Sequence, residues 1–424
     1  MEWFCIMYDN KNMKKLLLFI LSISFTSFIF SQSNILSEEN FPESVLFKFN
    51  HQKDDASSYV STVEEDVYYN GYLSHHSQIV NRISSIVHNV DKDGTADITA
   101  NYMTTEDSVT NYTKRTLSWG TENTSDFKRK PNGQLIISDY LVMPTVRNVP
   151  FFPSTPIKVG ETWIAQGKEV HDMKNYFNMD KPLIIPFEAH YKYSGNTIIN
   201  EKKLCIIDVE YEFYLQNTKQ EISKGSLFFA TAGYSKQRLY WDFENGILDH
   251  YDEEFQIKMS DIYNNIVDFR GISKAEITQA KFSNNKKNVE KLQKTVEDLN
   301  LKNVNIKEGS RGLTISIENI QFEPDSAVLL DSEKKKLDLI STLLKDFSND
   351  ILITGHCAER GSENARQKLS EERAESVADY LIQSGVRDSY HIFSQGKGST
   401  EPIATNETEV GRQKNRRVEI TVLD

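Results

Sequence analysis

The chain has 424 residues, which is room for about two to three domains of ordinary size. Acidic residues outnumber basic ones by 61 to 49, so the formal net charge is -12. Because no run of Lys and Arg is long enough to neutralise a phosphate backbone, the composition excludes a nucleic-acid partner bound through a basic arm.

The first residues have the organisation of a secretory signal peptide. Met13 is followed by two lysines, and an apolar run then covers residues 16–30. This run is shorter than the ~20 residues of a membrane-spanning helix, and the small residue Ser31 suits a cleavage site. We therefore predict that residues 1–31 are an upstream extension plus a signal peptide, and that the mature protein is exported. Because no Cys follows the apolar run directly, lipid modification of the mature N-terminus is not predicted.

Residues 34–275 are predicted to form a large antiparallel β-rich region, because short alternating segments are separated there by turn signals. In residues 204–215, apolar and polar side chains alternate and predict a half-buried strand. Asn245-Gly246 predicts a hairpin with a type I′ turn, since both residues tolerate a positive φ. Residues 91–94 predict a second hairpin loop, which lacks the further ligands of a calcium site.

A proline cluster interrupts the β-rich region. Because proline excludes regular ladder pairing, we expect a crossing or a seam near residues 145–158, and the region either divides there into two lobes or remains one. The prolines and the charge-dense turns also argue against insertion of these strands into a membrane. The prolines concerned are Pro144, Pro150, Pro153 and Pro156.

Residues 284–301 change in character, because apolar residues recur there at helical spacing among Lys, Glu and Gln. We predict an amphipathic linker helix, which either packs on one domain or projects the last domain outward as a stiff spacer. Its apolar positions are Val289, Leu292, Val296 and Leu299.

Two cysteines, Cys205 and Cys357, follow the predicted export signal and fall in different predicted domains. Such a pair does not make a disulfide framework, so we predict two buried free thiols. Cys357 follows His356, but no third and fourth ligands occur at a fitting spacing, so a metal site is not predicted.

The last part of the chain begins with a predicted β-α-β unit. Residues 312–317 alternate as a strand, a helix is predicted from about Ser332, and residues 351–355 form a short apolar strand. A second helix follows, for which Ser362 is placed as the N-terminal cap and Gly385 as the C-terminal stop.

Two more strands are predicted near the C-terminus, in residues 390–395 and 418–422. With the strands before them, they complete a small sheet of about four strands that carries its helices on one face.

Small, polar and charged residues recur at fixed spacing through this part. They are Gly355-His356-x-x-Glu359-Arg360-Gly361, Leu369-Ser370-x-x-Arg373-Ala374, Gly396-x-Gly398, Glu401-Pro402 and Gly411-Arg412-x-x-Asn415-Arg416-Arg417. The pattern resembles the OmpA-like family, which includes the Pal lipoproteins. The resemblance implies an α+β protein, in which a β-rich N-terminal region is joined by the linker helix to an OmpA-like βαβαββ sandwich in residues 304–424.

The resemblance also implies a function. Domains of this family hold the peptide stem of peptidoglycan noncovalently and are not known as enzymes, so neither catalysis nor a cofactor is predicted. A periplasmic or outer-membrane-associated location is implied, with peptidoglycan and other envelope proteins as partners.

The diaminopimelate head of the stem offers a carboxylate and an ammonium group, and the resemblance implies which residues read them. Arg373 occupies the position that takes the carboxylate, where a guanidinium fork suits a planar anion. At the family's acid position this chain has Ala358, and Arg366 stands where the family commonly has Asn. The candidate ligand-binding residues are Arg373, Arg366, His356, Arg412, Asn415 and Arg416.

Arg366 has two interpretations. It makes the pocket more basic, which favours a ligand rich in carboxylates or phosphates, or it pairs at the surface with Glu363 or Glu371. Two functions follow. The first is an envelope protein that contacts peptidoglycan with altered or weakened diaminopimelate recognition, and the second is a structural or protein-interaction subunit whose OmpA-like domain no longer binds the wall.

Overall fold

The computed structural model describes residues 41–108, 117–177, 179, 181–279, 293, 294, 296, 303–309, 312–323, 326–347 and 349–423. The predicted signal peptide and most of the predicted linker helix lie outside these residues. Within the described part of the chain, no helix is long and apolar enough to cross a membrane.

The N-terminal region is built from long antiparallel strands, which confirms the β-rich prediction. Two short helices, α1 (Lys174–Phe177) and α2 (Lys219–Ser223), lie between strands. The strands are β1 (Ala56–Tyr69), β2 (Tyr72–Val90), β3 (Ala96–Ser108), β4 (Leu117–Ser118), β5 (Thr121–Arg129), β6 (Leu135–Ile136), β7 (Val146–Arg147), β8 (Thr162–His171), β9 (Leu183–Ile199), β10 (Lys202–Gln216), β11 (Phe228–Asp242), β12 (Ile247–Asp261) and β13 (Ile266–Gln279).

Twelve of these strands form one sheet, in the order β6-β5-β3-β2-β1-β13-β12-β11-β10-β9-β8-β7. Because β6 and β7 are its two edges, the segment between them, which contains Pro144, passes from one edge to the other, and the remaining prolines of the cluster follow β7. The stretches before and after the proline cluster are therefore joined in a single sheet. Arg147 is fully buried beside this crossing and donates hydrogen bonds to the carbonyl oxygens of Pro144, Ser138 and Leu141.

The predicted alternation is present in β10, where Cys205, Ile207, Val209 and Tyr211 are buried. The same face of the sheet packs around a large aromatic core that includes Trp241. The alternation of apolar and polar residues therefore predicted correctly which face of this strand is buried. Both Cys205 and Cys357 are buried free thiols, as predicted.

Both predicted hairpins are present, but one turn differs from the prediction. β11 and β12 pair with Asp242 opposite Ile247, and Gly246 has a positive φ of 67°. The type I′ assignment is wrong, because the positive φ is confined to Gly246 while Asn245 donates its N–H to the Asp242 carboxylate. The hairpin is therefore closed by a four-residue loop, residues 243–246, and the Asp242 carboxylate caps that loop. In the loop between β2 and β3, Gly94 has a φ of 85°.

The C-terminal domain begins with a hairpin and ends with a strand that lies in the middle of its sheet. Its elements are β14 (Val304–Gly309), β15 (Gly312–Glu318), α3 (Asp331–Leu344), β16 (Ile351–His356), α4 (Glu363–Gln383), β17 (Ile392–Gly396), α5 (Glu409–Asn415) and β18 (Arg417–Leu423). The sheet order is β14-β15-β18-β16-β17-β4, with β16-β17 and β17-β4 parallel and the other pairs antiparallel. The predicted α+β class is confirmed.

The C-terminal sheet has six strands rather than about four. The prediction lacked β14, and it lacked β4, which comes from the N-terminal region. The short helix α5 was also not predicted. These three elements are short, so they give little periodicity to detect.

The helices of this domain cover one face of its sheet. Leu337, Ile340 and Leu344 of α3 pack with Val377 and Leu381 of α4 in one core cluster. Ser362 caps α4 by accepting a hydrogen bond from the Ala365 N–H at 3.3 Å, and Gly385, with a φ of 67°, follows its end. Both predicted boundary residues are confirmed.

Part of the predicted linker helix is described. Gln293, Lys294 and Val296 are helical, and Val296 is buried in the core cluster of the C-terminal domain. At Val296 the segment therefore packs on that domain.

Candidate functional site

Helix α4 carries the two central arginines of the candidate site and lies unusually close to the sheet. A β-carbon added at Gly355 would come within 2.1 Å of the Ser370 carbonyl oxygen, and one at Gly396 within 2.5 Å of the Glu371 nitrogen. The side chains of Arg366 and Arg373 project from this tightly seated helix. Glycine at both positions is therefore what allows the helix to approach.

Arg373 is held by the loop that follows β15. Its guanidinium carbon lies 4.8 Å from the centre of the Phe322 ring, and its Nε donates a hydrogen bond to the Ser326 carbonyl oxygen at 3.3 Å. The side chain is half-buried. Stacking on an aromatic ring orients a guanidinium group, whose planar fork of N–H donors matches the geometry of a carboxylate.

Ala358 lies in the loop after β16 and is almost fully buried. Two hydrogen bonds fix this loop, one from the Cys357 N–H to the Gly398 carbonyl oxygen at 2.7 Å and one from the Glu359 N–H to Asn406 Oδ1 at 3.1 Å. The position at which the family resemblance implies an acid therefore carries a methyl group here, in a loop held by these two hydrogen bonds. The Glu359 side chain beside it is exposed.

Three arginines act electrostatically on this loop. Burial raises the pKa of the Cys357 thiol, and the positive charges of Arg373, Arg366 and Arg416 oppose that rise. These three guanidinium groups make the surroundings of Cys357 basic. We call the surroundings of Cys357 and Ala358, together with the three arginines, the pocket.

Arg366 does not form either of the surface pairs considered for it. Its Nη1 donates to the Gly361 carbonyl oxygen, while Glu371 accepts a hydrogen bond from Gln367. Among the described residues, no carboxylate lies within ion-pair distance of Arg366, and its buried Nε has no hydrogen-bond partner. The charge of Arg366 is therefore available to the pocket.

Asn415, one of the predicted ligand-binding residues, is buried and hydrogen-bonded to a loop. It is 1% exposed, and its Oδ1 accepts hydrogen bonds from the N–H groups of Ile403 and Ala404 at 2.9 Å each. Its Nδ2 donates to the Ala404 carbonyl oxygen at 2.8 Å and to Asn406 Oδ1 at 2.9 Å. Every polar atom of the side chain is used to shape the loop before α5.

His356, another of the predicted ligand-binding residues, is buried at the end of β16. Gly355 faces α4, so the next residue along the strand points to the opposite face of the sheet. His356 is 3% exposed, and burial, reinforced by the charge of Arg417, lowers its pKa to about 3. Its imidazole is therefore neutral and shielded from the pocket.

Arg412 and Arg416 share one acid at the start of α5. Arg412 Nε and Arg416 Nη2 donate to the two carboxylate oxygens of Glu409 at 2.9 and 2.6 Å. Arg412 also donates to the carbonyl oxygens of Asn406 and Glu407, so it stabilises the loop. Of these two arginines, Arg416 is the one whose positive charge lowers the pKa of the Cys357 thiol.

The sequence interpretation missed Phe322 and Ser326 as parts of the site. The signal available was an aromatic residue in the loop after the strand at residues 312–317. Nothing in the spacing indicated that this loop lies beside Arg373. Of the predicted site residues, Arg373, Arg366 and Arg416 act electrostatically on the loop that holds Cys357 and Ala358, whereas His356 and Asn415 are buried within the fold.

The fold and the pocket define a class: a small α+β domain with three arginine side chains acting on one buried loop. No group of three metal-ligating side chains occurs in the described ranges. The chain belongs to the OmpA family, whose model matches residues 321–416. This confirms the family resemblance.

Two curated relatives illustrate the match. The "Peptidoglycan-binding protein ArfA" of Mycobacterium tuberculosis is 42% identical over 104 residues, which are 24% of this chain and 32% of the relative. The "Outer-membrane lipoprotein YfiB" of Pseudomonas aeruginosa is 34% identical over 121 residues, which are 26% of this chain and 71% of the relative. The match thus spans about a third of the mycobacterial protein's length.

Two solved structures are also similar to part of the chain. An outer-membrane protein from Borrelia burgdorferi B31 is 38% identical and is covered over 97% of its chain, against 28% of this one, with a TM-score of 0.25. The cell wall anchor of the T6SS from Pseudomonas aeruginosa is 32% identical and is covered over 96% of its chain, against 31% of this one, with a TM-score of 0.28.

Proposed function

We propose that this protein is exported to the cell envelope, where its OmpA-like domain contacts peptidoglycan noncovalently, with Arg373 binding a carboxylate of the peptide stem. The orientation of Arg373 by Phe322 and Ser326 is the observation that carries the proposal. A guanidinium group fixed in this way has lost part of its rotational freedom before the ligand arrives, so less entropy is lost on binding.

The same pocket favours altered recognition of diaminopimelate. Ala358 offers no acceptor for the ammonium group, and the nearby positive charge of Arg366 repels it. Losing the acceptor for a desolvated ammonium costs about 2–5 kcal/mol, which is roughly 30-fold to several-thousand-fold in affinity. We therefore expect Arg373 to bind the carboxylate of diaminopimelate, and we expect the ammonium group to contribute little to the affinity.

The proposed location rests on the predicted signal peptide and on the names of the relatives. One relative is called a peptidoglycan-binding protein and another an outer-membrane lipoprotein. We propose a periplasmic or outer-membrane-associated position, with other envelope proteins as partners of the N-terminal region.

Sedimentation of the purified mature chain with isolated sacculi tests the proposal. We expect the natural protein to pellet with sacculi, and Arg373→Ala to weaken this binding by roughly 10-fold to 150-fold, the value of a charge-assisted bidentate contact. Arg270→Ala is the matched control, because Arg270 is a half-exposed arginine on β13, far from the pocket, that pairs with Asp268. Equal binding by the natural protein and Arg373→Ala would contradict the proposal.

The alternative function is a structural or protein-interaction subunit of the envelope that has lost wall binding. Ala358 favours it, because the position of the acid is closed by a buried methyl group. A natural protein that stays in the supernatant, while Ala358→Asp pellets, would support this alternative. Sacculi with lysine in place of diaminopimelate belong in the same assay, since a different stem changes the need for an acid.

A further inference from the structure

The face of the C-terminal sheet that carries no helices is covered by the N-terminal sheet. Leu352, Phe393 and Leu423 on this face form one buried cluster with Val60 and Val80, and Met103 completes it. The neighbours of Leu352 in the strand, Ile351 and Ile353, belong instead to the core under the helices. The C-terminal sheet is therefore packed on both faces, and one of the packing layers comes from the other half of the chain.

The N-terminal region also covers an edge of the C-terminal sheet. β4 runs parallel to β17, and the Trp119 N–H just after it donates to the Ser394 carbonyl oxygen at 2.7 Å. The Trp119 ring meets Phe393 edge to face, with ring centres 5.6 Å apart. An unpaired strand edge is a site for unwanted pairing with other chains, so this cover protects the domain.

A buried ion pair joins the two sheets at the centre of the contact. Arg82 Nε of β2 lies 2.7 Å from Asp350 Oδ2, and the two side chains are 7% and 0% exposed. The other carboxylate oxygen of Asp350 lies 2.8 Å from His391 Nδ1, and His391 Nε2 lies 3.5 Å from a carboxylate oxygen of Glu276 on β13. One carboxylate thus binds a group from each half of the chain.

We infer that the N-terminal sheet is a docking platform that holds the OmpA-like domain in one fixed orientation through Arg82, Asp350 and His391. The docked face is opposite the helices, so the pocket around Arg373 stays open. A pull on the wall-binding domain then passes through this interface as well as through the connecting segment near residue 296. We expect the two halves to move as one unit, and we expect the opening that permits hydrogen exchange to involve both of them together.

The specificity of the contact supports this inference. A buried charge left without its partner is strongly destabilising, so the interface tolerates one register only. The hydrogen bond from Gln78 Nε2 to the Tyr390 hydroxyl, at 2.9 Å, adds a second polar contact between the same two surfaces. Apolar burial supplies area, and these polar contacts fix the orientation.

Hydrogen exchange on the full mature chain tests the inference. We expect Arg82→Leu to speed exchange by roughly 100-fold or more in both β1 and β16, because the buried carboxylate of Asp350 then loses its charged partner from the N-terminal sheet and keeps only His391. Arg238→Leu is the matched control, since Arg238 and Asp208 form a 2.7 Å pair within the N-terminal sheet. We expect that variant to leave β16 at the natural exchange rate.

A second variant keeps the test decisive if Arg82→Leu does not fold. Asp350→Asn removes the charge with little change of shape, and we expect it to raise exchange in both halves and to increase the radius of gyration measured by small-angle scattering. Faster exchange confined to the half that carries the substitution, with an unchanged radius, would overturn the inference. The interface contains none of the pocket arginines, so failure of wall binding leaves this result unaffected.

Discussion

Replacing Gly355 by alanine should disturb the site through the fold. The added β-carbon would lie 2.1 Å from the Ser370 carbonyl oxygen of α4, a distance that real β-carbon contacts essentially never show. The helix must therefore move outward by about 1 Å, and overpacking of this kind costs about 1–3 kcal/mol or somewhat more. Because α4 carries Arg373, the same displacement should move its guanidinium group away from Phe322 and weaken binding to sacculi.

Urea unfolding followed by circular dichroism, together with sedimentation on sacculi, measures both effects of Gly355→Ala. Gly195→Ala is the control, because a β-carbon at Gly195 meets nothing within 4 Å and the position has no positive φ. That change should leave stability within about 1 kcal/mol of the natural protein or raise it slightly. A Gly355→Ala protein with natural stability and natural sacculus binding would refute the packing argument.

Three further predictions concern single side chains. In the folded protein His356 has a pKa of about 3 and is neutral, whereas in the unfolded chain it takes up a proton near pH 6.5. The free energy of unfolding should therefore fall by about 1.4 kcal/mol for each unit by which the pH drops between these two values. Unfolding of His356→Leu, measured at several pH values, should lack this part of the acid sensitivity. Asn415→Ala should cost about 2–4 kcal/mol in urea unfolding, because it leaves loop N–H groups unsatisfied; natural stability with lost sacculus binding would instead make Asn415 a ligand contact. Phe322→Leu should weaken sacculus binding by roughly 2-fold to 30-fold through loss of the ring under Arg373, and an unchanged affinity would exclude that role.

Much of the fold could be predicted because it depends on patterns of residues that are close together in the sequence. Alternation in β10 set its buried face, and the Ser362 cap and Gly385 stop placed the ends of α4. These features depend on neighbours in sequence. β4 could not be predicted, because its two residues become a strand only through pairing with β17 far along the chain.

The candidate site was predictable in part for the same reason. Arg373 and Ala358 follow from motif spacing, whereas the roles of His356 and Asn415 depend on tertiary structure. Strand alternation turns His356 away from the pocket, and four hydrogen bonds to the loop occupy the Asn415 amide. Burial of His356 on the helix-free face is visible only once the surrounding fold is known.

The docking of the two sheets was also invisible in the sequence. Val60 and Val80 look like ordinary strand residues, and Leu352 lies in a fully apolar strand whose two faces cannot be told apart by period. Arg82 and Asp350 are distant in the chain and carry no motif. Their pairing is a property of the assembled fold.

Calorimetric titration of the mature chain with a soluble muropeptide that carries diaminopimelate measures the proposed recognition of the peptide stem. We expect weak binding by the natural protein, loss of that binding in Arg373→Ala, and binding roughly 30-fold or more tighter in Ala358→Asp, with Ala358→Asn as the isosteric neutral control. Equal affinities for the natural protein and Ala358→Asp, or undiminished binding by Arg373→Ala, would contradict the proposed roles of these two residues.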